Sequence, residues 1–278
     1  MNIEDLKRFI RLKSIDNNDV QNRKTLDFII EKLSAIGFTC KVKGEDETDQ
    51  PCLVSHFVGR NSDRKIVIYG HYDVAEVKGS ECWISEDPFE LQDINGRLYA
   101  RGIADNKGPL FARMEALSEL ISEGASVPEI LWLIQGEEEV ESGYRVAKSI
   151  FETELKEFEG KIFVEETGFN DIENQQQIVF LWSPGATEDD LMRWKPLFEE
   201  VMEKPRIEFR HLNKLNGVSD CPLLSSLSED SVYIGFGPND KLHQIHRQNE
   251  SLDTERLNTH KHQFKTFISM FAEYGLNE

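Results

Sequence analysis

The feature that most constrains this chain is a short apolar run, Ile66-Val67-Ile68-Tyr69, followed at once by Gly70-His71-Tyr72-Asp73. Consecutive β-branched and aromatic residues read as a strand buried on both faces, as found inside parallel sheets. Open α/β sheets carry their sites beyond the carboxyl ends of such strands. A histidine placed there, with a carboxylate two residues on to hold its other ring nitrogen, is half of a metal-ligand arrangement. A lone His-x-Asp is also ordinary loop chemistry, so the rest of the chain has to decide.

The same pattern recurs. Ile3, Leu6, Phe9 and Ile10 fall at helical spacing, as do Leu26, Ile29, Ile30, Leu33 and Ile36 before Gly37, which takes the C′ position. Phe38 to Val42 and Cys52 to Val58 read as strands around a polar loop, and 77–96 as a long irregular segment. Leu98 to Ala100 is a short strand, and a helix follows with Leu110, Met114, Leu117 and Ile121 on one face. The strand Glu129 to Ile134 runs into Gly136-Glu137-Glu138-Glu139, and a helix runs from Ser142 towards Phe151. The strand Lys161 to Val164 ends in Glu165-Glu166. Beyond it come a strand at Ile178 to Trp182, a helix over Glu188 to Met202, a strand at Ile207 to Phe209 and a helix or turn at Gly217-Val218-Ser219-Asp220. Ser231 to Ile234 is the last strand, and a long helix lined by Leu257, Phe264, Phe267, Ile268 and Phe271 closes the chain. Strands alternating with helices, with polar residues at strand ends, predict an α/β fold with a mostly parallel, doubly wound sheet flanked by helices.

Composition narrows the partners. A net charge of −19 argues against nucleic acid or an anionic membrane, both of which need a basic face. Residues 1–15 mix charges with apolar residues and predict neither a signal peptide nor an anchor, and no later stretch has transmembrane length. Cys40, Cys52, Cys82 and Cys221 are scattered and form no Cys-x-x-Cys pair, which predicts a reducing, cytoplasmic setting.

Four strand ends thus deliver candidate metal ligands: His71, Asp105, the run Glu137 to Glu139, and the pair Glu165-Glu166. His246, before the last helix, is a fifth. Histidines and carboxylates without cysteine suit zinc, manganese or cobalt, and a shared carboxylate can bridge two ions. Two ions roughly 3.5–4 Å apart can clamp an attacking water and a polarised carbonyl. A glutamate beside them can take the water's proton. Each residue also has a plainer explanation, for three glutamates in a row often start a solvated helix.

The chain resembles the co-catalytic zinc peptidase family of acetylornithine deacetylase, succinyl-diaminopimelate desuccinylase, carboxypeptidase G and the carnosinase-type dipeptidases. The matching segments are Gly70-His71-Tyr72-Asp73-Val74, Trp83 with Asp87-Pro88-Phe89, and Arg101-Gly102 with Asp105-Asn106-Lys107-Gly108. Gly136-Glu137-Glu138-Glu139, Phe236-Gly237-Pro238 and His246 with Asn249-Glu250 complete the set, in the family's order. The resemblance implies that His71 binds the first of two zinc ions, with Co2+ or Mn2+ as possible substitutes, and that Asp73 orients it. It implies Asp105 as the bridge, Glu138 as general base, Glu139 and His246 at the second metal, and Glu166 as a further ligand. A rival register makes Glu137 the base and Glu138 the ligand; Glu165 and His243 are the alternatives to Glu166 and His246. The reaction implied is hydrolysis of an amide bond in a small peptide, as by a dipeptidase or aminopeptidase, or in an N-acyl amino acid. The alternative is a metal-binding or assembly domain without turnover.

Relatives insert a second domain after the strand equivalent to the one ending at Glu166; it forms a lid, often makes the dimer, and usually lends a histidine that polarises the substrate carbonyl. Here only about fifty residues separate Glu166 from Ser219. The expectation is a single catalytic domain over 1–278 with the lid absent or vestigial, and 170–212 a short remnant or replacement. A monomer, or a dimer through a different interface, follows. His211, His243 and Arg247 are the candidates to replace the lid's histidine.

Overall fold

A computed structural model of the chain describes residues 1–140, 144–171, 173, 176–202, 207–211, 221 and 224–274. It opens with helices α1 (Ile3–Ile10) and α2 (Asp19–Ala35) and strands β1 (Thr39–Lys43), β2 (Cys52–Phe57) and β3 (Lys65–His71). Next come β4 (Gln92–Ile94), β5 (Arg97–Tyr99), α3 (Lys107–Ser122), β6 (Glu129–Gln135), α4 (Tyr144–Phe158) and β7 (Ile162–Glu165). Then follow β8 (Phe169–Asp171), β9 (Gln176–Trp182), α5 (Glu188–Met192), α6 (Lys195–Met202) and β10 (Ile207–His211). The chain closes with β11 (Val232–Gly235), β12 (Asn239–Asp240), β13 (Ser251–Asp253) and α7 (Thr254–Tyr274). No helix among the described residues is long and apolar enough to cross a membrane.

The main sheet runs β1-β2-β6-β3-β7-β11-β9-β8-β12, with β10 beside β9. Its centre, β6-β3-β7-β11, is parallel. Ile66 and Ile68 of β3 face a core shared with α1, α2, α3, α6 and α7, while Val67 and Tyr69 face Ala147, Phe151 and Phe158 of α4. Helices therefore cover both faces, and the doubly wound α/β expectation is borne out. The flanks differ from it: β1, β2 and β6 pair antiparallel, as do β11, β9 and β8. The links between β1 and β2 and between β8 and β9 are too short for the crossover a parallel pair needs.

The helix expected over Glu188 to Met202 is two helices, broken at Arg193-Trp194. Pro196 explains the break, because its ring would clash with a carbonyl of the preceding turn, whereas the first turn of a new helix tolerates it. The break lets Trp194 bury its indole completely. Strands β8, β12 and β13 escape sequence reading because two or three residues show no period. β9 and β10 join the main sheet, and Phe198 of α6 stacks on Phe267 of α7 at 5.6 Å, so the described part of this segment packs into the main sheet and the helical layer beside it. Ser142 and Gly217-Val218-Ser219-Asp220 lie outside the described residues.

Candidate metal centre

The parallel strands deliver their carboxyl ends to one edge. β3 ends in His71, β6 leads into Gly136 to Glu139, and β7 leads into Glu166. Two glycines make this convergence possible. A Cβ on Gly136 would lie 2.4 Å from the Tyr72 hydroxyl and from the Gln50 carbonyl, and one on Gly237 would lie 1.9 Å from the Glu166 carbonyl. Asp105 stands just before α3, and His246 lies on the loop between β12 and β13 with φ +60°. Together they open on a cleft of about 1280 Å³.

Asp105 is the hinge of the arrangement. Its Oδ1 lies 2.9 Å from His71 Nε2, and its Oδ2 lies 3.3 Å from His246 Nε2. His246 Nε2 also meets Glu139 Oε2 at 2.8 Å. Behind His71, Asp73 Oδ1 is 3.3 Å from Nδ1, and Asp73 Oδ2 accepts the Glu139 N–H at 2.8 Å. Asp73 thus ties the histidine strand to the glutamate loop. Glu138 turns into the cleft, its Oε2 3.9 Å from His71 Nε2, whereas Glu137 turns away to accept from the Thr48 hydroxyl. Glu166 Oε1 accepts from Asn106 Nδ2, and its Oε2 lies 3.6 Å from Arg113 Nη1. Glu165 takes the Tyr233 hydroxyl at 2.6 Å.

The charges are those of an acidic pocket. Burial pushes Glu138 up to about 8, with Asp105, Asp73 and Glu139 adding to the rise against His71. Burial likewise raises Glu139 and Glu166. Burial alone would lower His71, but Glu138, Asp105 and Asp73 outweigh it and hold its pKa well above the ordinary value. Contacts with Asp105 and Glu139 lift His246 to about 10. Burial also works against Asp105, yet its two histidines hold it below the usual carboxylate range. Asp105, Glu139 and His246 offer ligand atoms all within 4.8 Å of one another. Glu139 Oε1 is buried without a hydrogen-bond partner among the described residues, an acceptor that a cation would satisfy. The donor set fits a borderline divalent ion such as zinc.

The structure brings His71, Asp73, Asp105, Glu138, Glu139 and His246 into mutual contact; Glu166 lines the same cleft but stands outside the tight grouping. His243 also lines the cleft, its Nδ1 accepting the Ile245 N–H at 2.9 Å. Arg247 is exposed, and the side chain of His211 lies outside the described residues. Sequence reasoning missed the supports. Glu250 is buried and accepts from Arg101 Nη1 at 2.9 Å and from the N–H groups of Gly102, Ala104 and Asp105 at 3.0, 2.8 and 3.0 Å. Burial of Lys107 under α1, where it donates to the Phe9 carbonyl at 3.3 Å, lowers its pKa to about 7. Arg113 was legible only as a charge on the otherwise apolar stretch from Leu110 to Met114.

The model of peptidase family M20/M25/M40 matches residues 67–270. Over 79 residues the chain is 39% identical to "Probable di- and tripeptidase DUG2" of Saccharomyces cerevisiae, covering 28% of this chain and 9% of that one. Over 142 residues it is 29% identical to succinyl-diaminopimelate desuccinylase of Rickettsia akari, covering 50% and 36%. The matched segments therefore span little more than a third of these relatives at most. An M20 family metallo-carboxypeptidase of Sulfolobus solfataricus shares the fold, with a TM-score of 0.71, 14% identity, and 97% of this chain and 99% of that chain covered. The family model alone covers well over half of the sequence and all of the site, and the chain belongs to peptidase family M20/M25/M40.

Proposed function

We propose that the chain is a metal-dependent amide hydrolase of the dipeptidase or aminopeptidase kind, with a dinuclear zinc centre and Glu138 as general base. The observation that carries this is Asp105, whose two oxygens face two different histidines at 2.9 and 3.3 Å. Asp105 would be shared between two cations, His71 and Glu166 would help hold one of them, and Glu139 and His246 the other. When bound, such ions polarise the substrate carbonyl and make water nucleophilic at neutral pH. Glu138, in the cleft beside His71, takes the water's proton and hands it to the departing amine.

The register that makes Glu138 the base is supported by Glu137 facing Thr48 and Glu139 facing His246. His243 is the best-placed replacement for a lid histidine. Because Nδ1 accepts from Ile245, the proton of the neutral ring sits on Nε2 and can be donated to a substrate carbonyl. We take the whole of 1–278 as one catalytic domain, with 170–212 replacing a lid. The described residues of that segment extend the sheet, which supports a cleft open to peptides longer than a dipeptide. N-acyl amino acids are the alternative substrates. The open architecture favours a monomer, and the scattered cysteines, with no Cys-x-x-Cys pair, a cytoplasmic location.

Zinc content and turnover of a dipeptide and N-acyl amino-acid panel test this reading. Wild type is expected to bind two equivalents and hydrolyse one class, Glu138→Gln to keep its metal and lose turnover, and Glu137→Gln to remain active. Activity that survives Glu138→Gln and disappears in Glu137→Gln would move the base by one residue. Full metal occupancy without turnover of any substrate would leave a binding domain.

A further inference from the structure

Arg113 interrupts the apolar inward side of α3 with a charge that is only 1% exposed. Its guanidinium is locked in place. Nε donates to His260 Nε2 on α7 at 3.3 Å, and Nη2 donates to the Phe236 carbonyl at 3.2 Å. The Phe264 and Phe236 ring centroids lie 4.9 and 5.8 Å from its Cζ. Nη1 alone has no hydrogen-bond partner among the described residues, and it lies 3.6 Å from Glu166 Oε2. The other oxygen of Glu166 accepts from Asn106.

Packing does not explain this residue. Exchanging both members of a buried ion pair for apolar side chains of similar volume is often neutral or stabilising, so a core of phenylalanines has no need of an Arg113–Glu166 pair for packing alone. What an apolar side chain cannot do is grip a carboxylate. A carboxylate has about four lone-pair sites. The amide of Asn106 takes one, the guanidinium faces another, and the remainder are left for a cation.

We propose that Arg113, anchored by His260, is a positioning residue that holds Glu166 with its free lone pairs towards His71 and Asp105. The inference rests on Glu166 serving as a ligand, as proposed above. Supports of this kind typically change metal affinity by roughly 10–100-fold. The effect falls on one of the two sites, because Glu139 and His246 owe nothing to Arg113.

The test is cobalt titration of the metal-free full chain, followed by visible absorption and by competition with a chelator. Wild type is expected to take up two equivalents. Arg113→Met is expected to keep one equivalent at wild-type affinity and to weaken the other by roughly 10–100-fold. Arg113→Lys should recover part of the loss, which a mere packing defect would not. His260→Leu keeps the guanidinium but removes its anchor, and should weaken the same equivalent several-fold; it decides the question if Arg113→Met does not fold. Two unchanged equivalents in the folded variants, or a tighter second equivalent, would overturn the positioning role and leave the hydrolase reading intact. A wild type that takes up no cobalt would overturn both.

Discussion

Three adjacent glutamates show how little separates a ligand from a bystander. Glu137, Glu138 and Glu139 share composition and loop, yet one meets Thr48, one enters the cleft, and one meets His246. Neighbouring positions differ because the chain has left β6 and bends through Glu138 and Glu139, so successive side chains leave the loop in different directions. The same economy appears in His243, three residues before His246. Its tautomer is fixed by the Ile245 N–H, and burial lowers its pKa, so near neutrality it presents a neutral N–H. Removing one donor to a developing oxyanion typically costs about 10²–10³ in kcat. His243→Ala is therefore expected to lose that much kcat with KM changed little and metal content unchanged. Steady-state kinetics on the best substrate of the panel check it; an unaltered kcat would return the role to another group.

At the scale of elements, the site depends on a loop that the sequence announces without explaining. Residues 101–105 carry Asp105 between β5 and α3, and four hydrogen bonds from this loop converge on Glu250. Arg101 in turn stacks on Trp83 at 5.3 Å, so the irregular 77–89 segment is pinned to the same carboxylate. Glutamine at 250 would replace an acceptor oxygen with an NH2 donor and remove the charge facing a buried guanidinium. Breaking a buried pair from one side costs roughly 3–5 kcal/mol. Glu250→Gln should lower Tm by roughly ten degrees and weaken metal binding, as read by calorimetry and chelator competition; an unchanged Tm would show that the loop holds itself. Legibility follows the same division. The strands ending at His71 and Glu165 were readable because burial on two faces leaves a run of apolar residues, and the ligands were readable as polar residues at their ends. Glu250 and Lys107 stood out only as members of matching segments, and Arg113 not at all; their supporting roles were hidden, because a charge that binds backbone or a buried partner looks in sequence like any solvated one. The split at Arg193-Trp194 was readable from Pro196, and the helical period on either side masked it.

For the whole molecule, the consequence is a fold that carries a surplus of negative charge towards one pocket. In the metal-free protein Glu138 is raised from 4.5 to about 8, and His246 from 6.5 to about 10, with His71 raised as well. A group that holds its proton more tightly when folded stabilises the fold below its ordinary pKa and loses that contribution as pH climbs through the raised one. Stability of the metal-free protein should therefore decline from about pH 5 to about pH 8. Asp105 does not reverse this, since its lowered pKa stabilises the fold throughout that window and is lost only in stronger acid. A divalent cation needs the same protons removed, so its binding strengthens over the same window. Zinc at a hundredfold excess over its Kd adds about 2.7 kcal/mol, or roughly 5–10 °C in Tm for a chain of this size. The Tm difference between zinc-loaded and chelator-treated protein should thus be small at pH 5 and grow steadily to pH 8, measured by scanning calorimetry in buffers of matched ionic strength. A difference that is flat across that range would mean that the histidines and glutamates of this cleft are not where the metal binds.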